Sequence, residues 1–357
     1  MPQELPILKG RGVNSNPKNR FERLHVEDDF EHLEGDAEFA ASLAKVPTEY
    51  LVDSSKSIIA TNDSPDVGFT HSINPYRGCS HGCCYCFARI SHEYLGFSAG
   101  LDFESKIMVK MTAPELLRQE LASPRYEPVA LTMSGVTDCY QPAEKKFRIT
   151  RGCLEVLAEF GNPVSIITKN HLVTRDIDLL ARLAAQKAAV VLVSITTLDA
   201  GLAAKMEPRT SAPRRRLDAI RELTDAGIPA GVMTAPLIPG LNDHEVPAIL
   251  KAAADAGASC AGYTPIRLAL AIAGLFEDWL GNHFPDRKDK VLNRIRSMRG
   301  GKLNDPRFGS RMRGEGMWAD QLKSIFEFGK KAAGITGSFP QLSTAGFRRP
   351  GGQLTLW

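Results

Sequence analysis

The chain has 357 residues, 43% of them hydrophobic and 24% charged, with a formal net charge of +3. That balance excludes a chain disordered throughout and a collagen-like repeat, and the length suits one large α/β barrel or two ordinary domains. The longest apolar stretch, around Leu268 to Phe276, is far short of the roughly 18 residues that cross a bilayer. The N-terminus lacks the apolar core of a secretory signal. A cytoplasmic protein with no membrane partner is expected.

Residues 1–65 read as an extension of mostly irregular structure. They open with a basic arm (Lys9, Arg11, Lys18, Arg20, Arg23), followed by an acidic stretch over 27–38. A solvated tail and a functional arm are both open readings of it. From 66 to 270 short apolar runs alternate with helical patterns. The runs lie at 68–75, 129–133, 164–168, 189–195, 230–235 and 259–263, and the helices at 145–160, 177–186, 213–226 and 244–256. Gly227 and Gly257 follow two of these helices, as left-handed caps prefer. Strand–helix repetition at this spacing predicts a parallel sheet with crossover helices, six βα units in all. The expected fold is therefore α/β, a partial (β/α)6 barrel of the TIM type, with ligands at the C-terminal strand ends. A basic helical region over 271–338 follows, then a flexible tail over 339–357.

Seven cysteines carry the first chemical information. Cys79, Cys83, Cys84 and Cys86 lie within eight residues, whereas Cys139, Cys153 and Cys260 are scattered singly. A disulfide scaffold would spread paired cysteines through a short exported chain; a tight cluster points to metal or redox chemistry. Cys79, Cys83 and Cys86 form C-x3-C-x2-C directly after the first expected strand. Three thiolates at this spacing can ligate three irons of a [4Fe–4S] cube, and the fourth iron then keeps an open position for a substrate or cosubstrate. Cys84, adjacent to Cys83, reads as a bystander. Zinc, with His81 or His92 as fourth ligand, is the alternative.

Cys79, Cys83, Tyr85 and Cys86 resemble the C-x3-C-x-aromatic-C signature of the radical S-adenosylmethionine (radical SAM) superfamily. The resemblance covers residues 68–270. It implies a [4Fe–4S] cluster whose open iron binds S-adenosylmethionine, reductive cleavage to a 5′-deoxyadenosyl radical, and a flavodoxin- or ferredoxin-like electron donor. It also assigns residues at successive strand ends. Thr137 and Asp138 stand where the superfamily holds the methionine amino group. Lys169 faces its carboxylate, and Ser194 and Thr196 the ribose or carboxylate. Glu207 and Arg209 follow as a polar pair. Ile238 and Asn242 lie in a run similar to the adenine element, which departs from it at Pro236 and Asp243.

Asn74-Pro-Tyr-Arg-Gly-Cys79, the Thr137-Asp138 turn, Thr168-Lys169 and Ser194 bring the chain closest to the spore photoproduct lyase-like branch. There a cysteine three residues before the aspartate returns hydrogen to the product radical. Gly135 occupies that place here, and Cys139 becomes the substitute donor to test.

Two features point to nucleic acid. The segment 285–313 holds ten Lys or Arg against three Asp, an excess that suits phosphates. Gln353, Leu354, Leu356 and Trp357 resemble the Gln-Leu-x-Leu-aromatic peptide that docks on the DNA polymerase sliding clamp. The expected function is a radical SAM enzyme acting on nucleic acid in a repair-like reaction. A radical SAM enzyme modifying a protein or small molecule is one alternative. A non-catalytic iron–sulfur or zinc module that binds nucleic acid is the other.

Overall fold

The computed structural model describes residues 8–23 and 46–350. In chain order the strands are β1 (Glu49–Val52), β2 (Ile59–Thr61), β3 (His71–Ile73), β4 (Tyr76–Arg77), β5 (Lys106–Val109), β6 (Leu131–Met133), β7 (Val164–Thr168), β8 (Ala189–Ser194), β9 (Ala230–Leu237) and β10 (Cys260–Pro265). Seven of them form one sheet in the order β10-β9-β8-β7-β6-β3-β2. Six are parallel, and they are the six expected from the apolar runs; β2 pairs antiparallel with β3 at one edge. The sheet does not close, because β2 and β10 remain its two edges. The fold is a partial barrel of the TIM type.

Parallel neighbours require crossovers. Helices Ala113–Ala122, Ile149–Phe160, Ile177–Ala184, Pro213–Asp225 and Val246–Asp255 supply them. Each buries one apolar stripe, such as Leu179, Leu180 and Leu183, against the sheet. The central strand β8 is buried at every position, which is why it reads as the unbroken run Ala-Val-Val-Leu-Val-Ser. Gly227 and Gly257 end their helices at φ +75° and +99°.

The structure corrects the outline in three places. The extension expected to be irregular contributes β1, which pairs with β5 in a second, three-stranded sheet (β1-β5-β4), and β2 of the main sheet. These strands are short and half exposed, so they leave no apolar run in the sequence. The helix expected from residue 145 begins at Ile149, because Arg148 at φ +55° separates it from the short turn Glu144–Phe147. The tail expected to be flexible from 339 is packed as far as 350. Phe347 lies against Phe160 and Tyr126, and the Arg348 amide donates to the Phe160 carbonyl at 2.8 Å.

Beyond β10, helices Ala271–His283, Pro285–Ser297 and Met317–Ala332 follow. Leu275, Phe276, Trp279, Leu292 and Ile295 from the first two form an apolar cluster that also takes in Val13, Cys83, Cys84 and Tyr85. The cysteine loop therefore has a packed apolar backing. No helix among the described residues is long and apolar enough to cross a membrane.

Candidate active site

The loop carrying the cysteines follows β4 at the C-terminal end of the parallel strands, and buried polar side chains bolt it in place. Arg89, fully buried, donates from Nε to the Cys83 carbonyl at 3.0 Å and from Nη1 to the Gly100 carbonyl at 2.9 Å, and pairs with Glu104 at 2.5 Å. Gln141 holds the other side, donating to the Gly78 carbonyl at 3.0 Å and accepting from the Ser80 amide at 2.9 Å. Gly82 sits at φ +69°, and a Cβ there would stand 2.6 Å from Glu104 Oε2. Only glycine fits that turn.

Within the loop Cys79 and Cys83 are buried, and Cys86 is half-buried beside Cys79 and Phe103. Burial pushes the Cys83 and Cys86 thiols up; Cys83 also feels Glu207, Cys86 and Cys79, and Cys86 feels Cys79. Thiolates as close to one another as those of Cys83 and Cys86 need a cationic centre. This donor set fits an iron–sulfur cluster held on three cysteines. Cys84 is fully buried in the apolar cluster with Leu202 and Met206. Of the two histidines of the zinc alternative, His81 faces both Asp138 and Cys79, and His92 leaves both ring nitrogens without a hydrogen-bond partner among the described residues. His81 Nδ1 lies 3.4 Å from Asp138. His92 is buried between Phe97 and Phe103, and burial pulls its pKa down to about 4.

Glu207 gathers much of the remaining site. Its carboxylate accepts from the Tyr85 hydroxyl, from Thr196 Oγ1 at 3.0 Å and from Arg216 Nη2. Arg216 Nη1 donates in turn to the Ser194 carbonyl at 3.1 Å. Lys169 at the end of β7 has its Nζ 5.9 Å from the Tyr85 ring centroid. Burial lowers the Lys169 pKa, but Glu207 and Cys83 outweigh it, and the amine stays a cation. Burial likewise opposes the Glu207 charge, yet Arg216 and Lys169 hold the carboxyl below its usual range. Asn242 donates to the Thr196 carbonyl at 2.8 Å and accepts from the Ile238 amide at 2.7 Å, so the loop after β9 is tied to the end of β8. Tyr85, Lys169, Ser194, Thr196, Glu207, Ile238 and Asn242 are thus linked at one end of the sheet. Arg216, Arg89 and Gln141 complete this frame without a sequence signal of their own. Each is a lone polar residue whose partners lie in other elements.

The other assigned residues stand differently. Asp138 is already engaged: Thr168 Oγ1 and the Lys169 amide donate to it at 2.8 Å, and the Tyr140 amide at 2.9 Å. Its carboxylate closes the end of β7 onto the turn after β6. Thr137 donates to the Tyr76 carbonyl at 2.6 Å, and Asn74 accepts from the Val136 amide at 2.9 Å. Arg209 faces the N-terminal arm, donating to the Gly10 carbonyl at 2.9 Å and to Thr48 at 3.1 Å. Cys139 is fully buried in the main core, its amide donating to Ser134 Oγ at 2.8 Å. Burial pushes its thiol well up. At Gly135 a Cβ would meet the Ser72 Cβ at 3.1 Å and the Phe69 ring at 3.2 Å, so a cysteine there needs its neighbours to give by a few tenths of an ångström.

The basic stretch 285–313 is also partly spent on the protein. Arg294 stacks 3.9 Å over the Trp318 ring, Arg296 pairs with Glu277 at 3.2 Å, and Arg299 is buried against backbone carbonyls. Excess charge in the sequence is therefore not, at these three positions, free charge on the surface. Residues Gln353 to Trp357 lie outside the described residues.

Comparisons with known proteins agree with this geometry. The family model "Radical SAM superfamily" matches residues 73–253. An uncharacterized protein of Mycobacterium tuberculosis is 37% identical over 220 residues, 61% of this chain and 65% of that protein. An uncharacterized protein of Methanocaldococcus jannaschii is 31% identical over 178 residues, 50% of this chain and 64% of that protein. The alignments thus span less than two thirds of these relatives. Among solved structures, spore photoproduct lyase complexed with dinucleoside spore photoproduct superposes with a TM-score of 0.56 at 16% identity, covering 79% of each chain. With the family match over half its length and the cysteine loop at the mouth of a partial barrel, the chain belongs to the radical SAM superfamily, whose cofactors are a [4Fe–4S] cluster and S-adenosylmethionine.

Proposed function

We propose that the chain is a radical SAM enzyme acting on nucleic acid in a repair-like reaction, with Cys79, Cys83 and Cys86 as cluster ligands. Cys79, Cys83 and Cys86 would hold the cluster, which would supply the one-electron reduction, from a flavodoxin- or ferredoxin-like donor, for reductive cleavage of S-adenosylmethionine. The residues of this chain supply the setting. Lys169 offers a cation for the methionine carboxylate, while Thr196 and Asn242, bonded to Glu207 and to the backbone of Ile238, Thr196 and Pro236, fix the strand ends of the pocket. Tyr85 is held by Glu207 at the cluster loop. Asp138, with its oxygens engaged, orients Lys169 through the backbone amide.

The observation that carries this reading is the joining of the three-cysteine loop to Lys169, Thr196 and Asn242 through the single buried carboxylate Glu207. The likeness to a lyase solved with a dinucleoside photoproduct supports nucleic acid as the substrate class. Gln353, Leu354, Leu356 and Trp357 add a proposed docking peptide for the sliding clamp.

The test is anaerobic reconstitution with iron and sulfide, reduction with dithionite and addition of S-adenosylmethionine. Wild-type protein is expected to bind about four irons and form 5′-deoxyadenosine. Cys83→Ala is expected to lose iron and product together. Product formation by Cys83→Ala would refute the ligand assignment. Iron retained by wild type without any product would leave a binding module instead of an enzyme.

A further inference from the structure

Arg267 lies two residues beyond β10, at the same end of the sheet as the cysteine loop. Among the described residues it pairs with no carboxylate. Its Nη1 donates only to Met312 Sδ at 3.2 Å, and its buried Nε has no acceptor. Two more guanidiniums stand nearby. Arg311 is neutralised by Asp66 at 2.6 and 2.8 Å. Arg299 is 3% exposed and spends its two Nη atoms on the carbonyls of Ile266, Ser310 and Arg311, between 2.8 and 3.0 Å. Burial lowers the pKa of Arg267, and the charge of Arg311 lowers it further. Burial and Arg267 together bring Arg299 down to about 10. Asp66 is bonded to Arg311, and Asp305, the acidic neighbour of Arg299, is bonded to Arg307, so Arg267 has no carboxylate of its own among the described residues. A half-buried cation beside like charges is costly unless an anion completes it.

The surrounding chain places this cation where a polymer can pass. The segment from Arg299 to Arg311 joins the end of β10, through the Ile266 carbonyl, to Asp66 in the connection between β2 and β3. It therefore spans the two edges of the open sheet. Phe308 stands on this bridge 62% exposed, with the Arg311 guanidinium 4.5 Å from its ring centroid. Lys302 is exposed on the same segment and Arg313 just beyond it, and Arg307 is exposed but paired with Asp305 and Glu315. Arg267, bonded to Met312 just past the end of this bridge, and the exposed Phe308 on it supply the two kinds of group that take a phosphate and a base.

We infer that Arg267 is a phosphate ligand and Phe308 a base-stacking platform for a single nucleic-acid strand crossing the open side of the barrel. This rests on the nucleic-acid reading above and moves its contact away from Arg294, Arg296 and Arg299, which the protein itself uses. Arg299 ties together the backbone just before Arg267 and just before Met312 through the Ile266, Ser310 and Arg311 carbonyls.

The test is fluorescence anisotropy of a labelled single-stranded oligothymidylate over a range of salt concentrations. Arg267→Gln is expected to bind about fivefold more weakly and to lower the slope of log K against log salt by about 0.7, one phosphate contact on a single strand. Arg267→Lys is expected to keep the wild-type slope, which separates lost charge from a damaged fold. Phe308→Ala is expected to lose about tenfold in affinity with the slope unchanged. Arg182→Gln, on the outer helix Ile177–Ala184, is expected to bind as wild type. Wild-type affinity and slope in Arg267→Gln would overturn the inference and leave the nucleic-acid reading standing. An equal loss in Arg182→Gln would overturn it as well, since the contact would be diffuse charge. Failure of the wild-type protein to bind the strand at low salt would overturn both.

Discussion

Glu207 shows how much a single buried carboxylate can organise. Its two oxygens serve Tyr85 from the cysteine loop, Thr196 beyond β8 and Arg216 from the helix Pro213–Asp225, while Lys169 completes the charge balance from β7. These contacts differ in worth. Removing the Thr196 hydroxyl takes away one neutral donor to a charged acceptor, about 1–2 kcal/mol. Removing the Glu207 charge leaves two buried cations without compensation, about 3–5 kcal/mol. Glu207→Gln is therefore expected to lower the denaturant midpoint far more than Thr196→Val, with an unchanged m-value if the native state stays compact. Equal midpoints for the two variants would mean that Arg216 and Lys169 find other partners, and that Glu207 is not the organising charge. The same arithmetic explains why Glu207, read from the sequence only as half of a polar pair with Arg209, separates from it in the structure. Buried Glu207 needs Arg216, whereas Arg209 finds its acceptors in Gly10 and Thr48.

The N-terminal arm, at the scale of an element, turns out to be a strap across the cysteine loop. Leu8, Arg11, Val13 and Asn19 are buried, and Arg11 donates to the Glu104 and Val46 carbonyls at 2.8 and 2.5 Å. The Gly12 amide donates to Glu104 Oε2 at 3.0 Å, the same carboxylate that holds Arg89 beneath the loop. A Cβ on Gly12 would lie 1.5 Å from the Gly82 carbonyl oxygen, so strap and loop meet backbone to backbone. Gly12→Ala must push them apart. After reconstitution it is expected to bleach several-fold faster in air than wild type, followed by visible absorbance, with iron released in step. Bleaching at the wild-type rate would show that the strap is dispensable for protecting the cluster. None of this was legible in advance. The arm has no period, and Gly12 signals nothing until its neighbour is known to be Gly82. The parallel strands and crossover helices were legible for the opposite reason: burial on both faces writes β8 as an apolar run, and amphipathic helices repeat every three to four residues. The cysteine loop was legible from spacing alone. Its braces were not, because Arg89, Gln141 and Arg216 act over long sequence distances.

At the scale of the whole molecule, the two ends of the sheet divide the labour. The cysteine loop, Lys169, Thr196 and Arg267 lie at the C-terminal strand ends, while the last described residues run beneath the N-terminal ones. The Ser343 amide donates to the Lys187 carbonyl just before β8, the Arg348 amide to Phe160 before β7, and Arg349 to the carbonyls of Ser123 and Tyr126 before β6. Phe347 pins this path against Phe160 and Tyr126. The chain therefore leaves the described body at Pro350 on the face opposite the candidate active site. The docking peptide proposed at Gln353 to Trp357, preceded by the two glycines at 351 and 352, would start from that far face. Seven residues reach at most about 25 Å, too short to bring a bulky clamp around the body to the mouth. Clamp and substrate are thus expected to bind together. Saturating the full chain with sliding clamp should leave the rate of 5′-deoxyadenosine formation within about twofold, and truncation after Pro350 should abolish clamp binding. Competition between clamp and oligonucleotide would place the docking surface on the same side as the mouth, and clamp binding that survives truncation would remove the role proposed for Gln353, Leu354, Leu356 and Trp357.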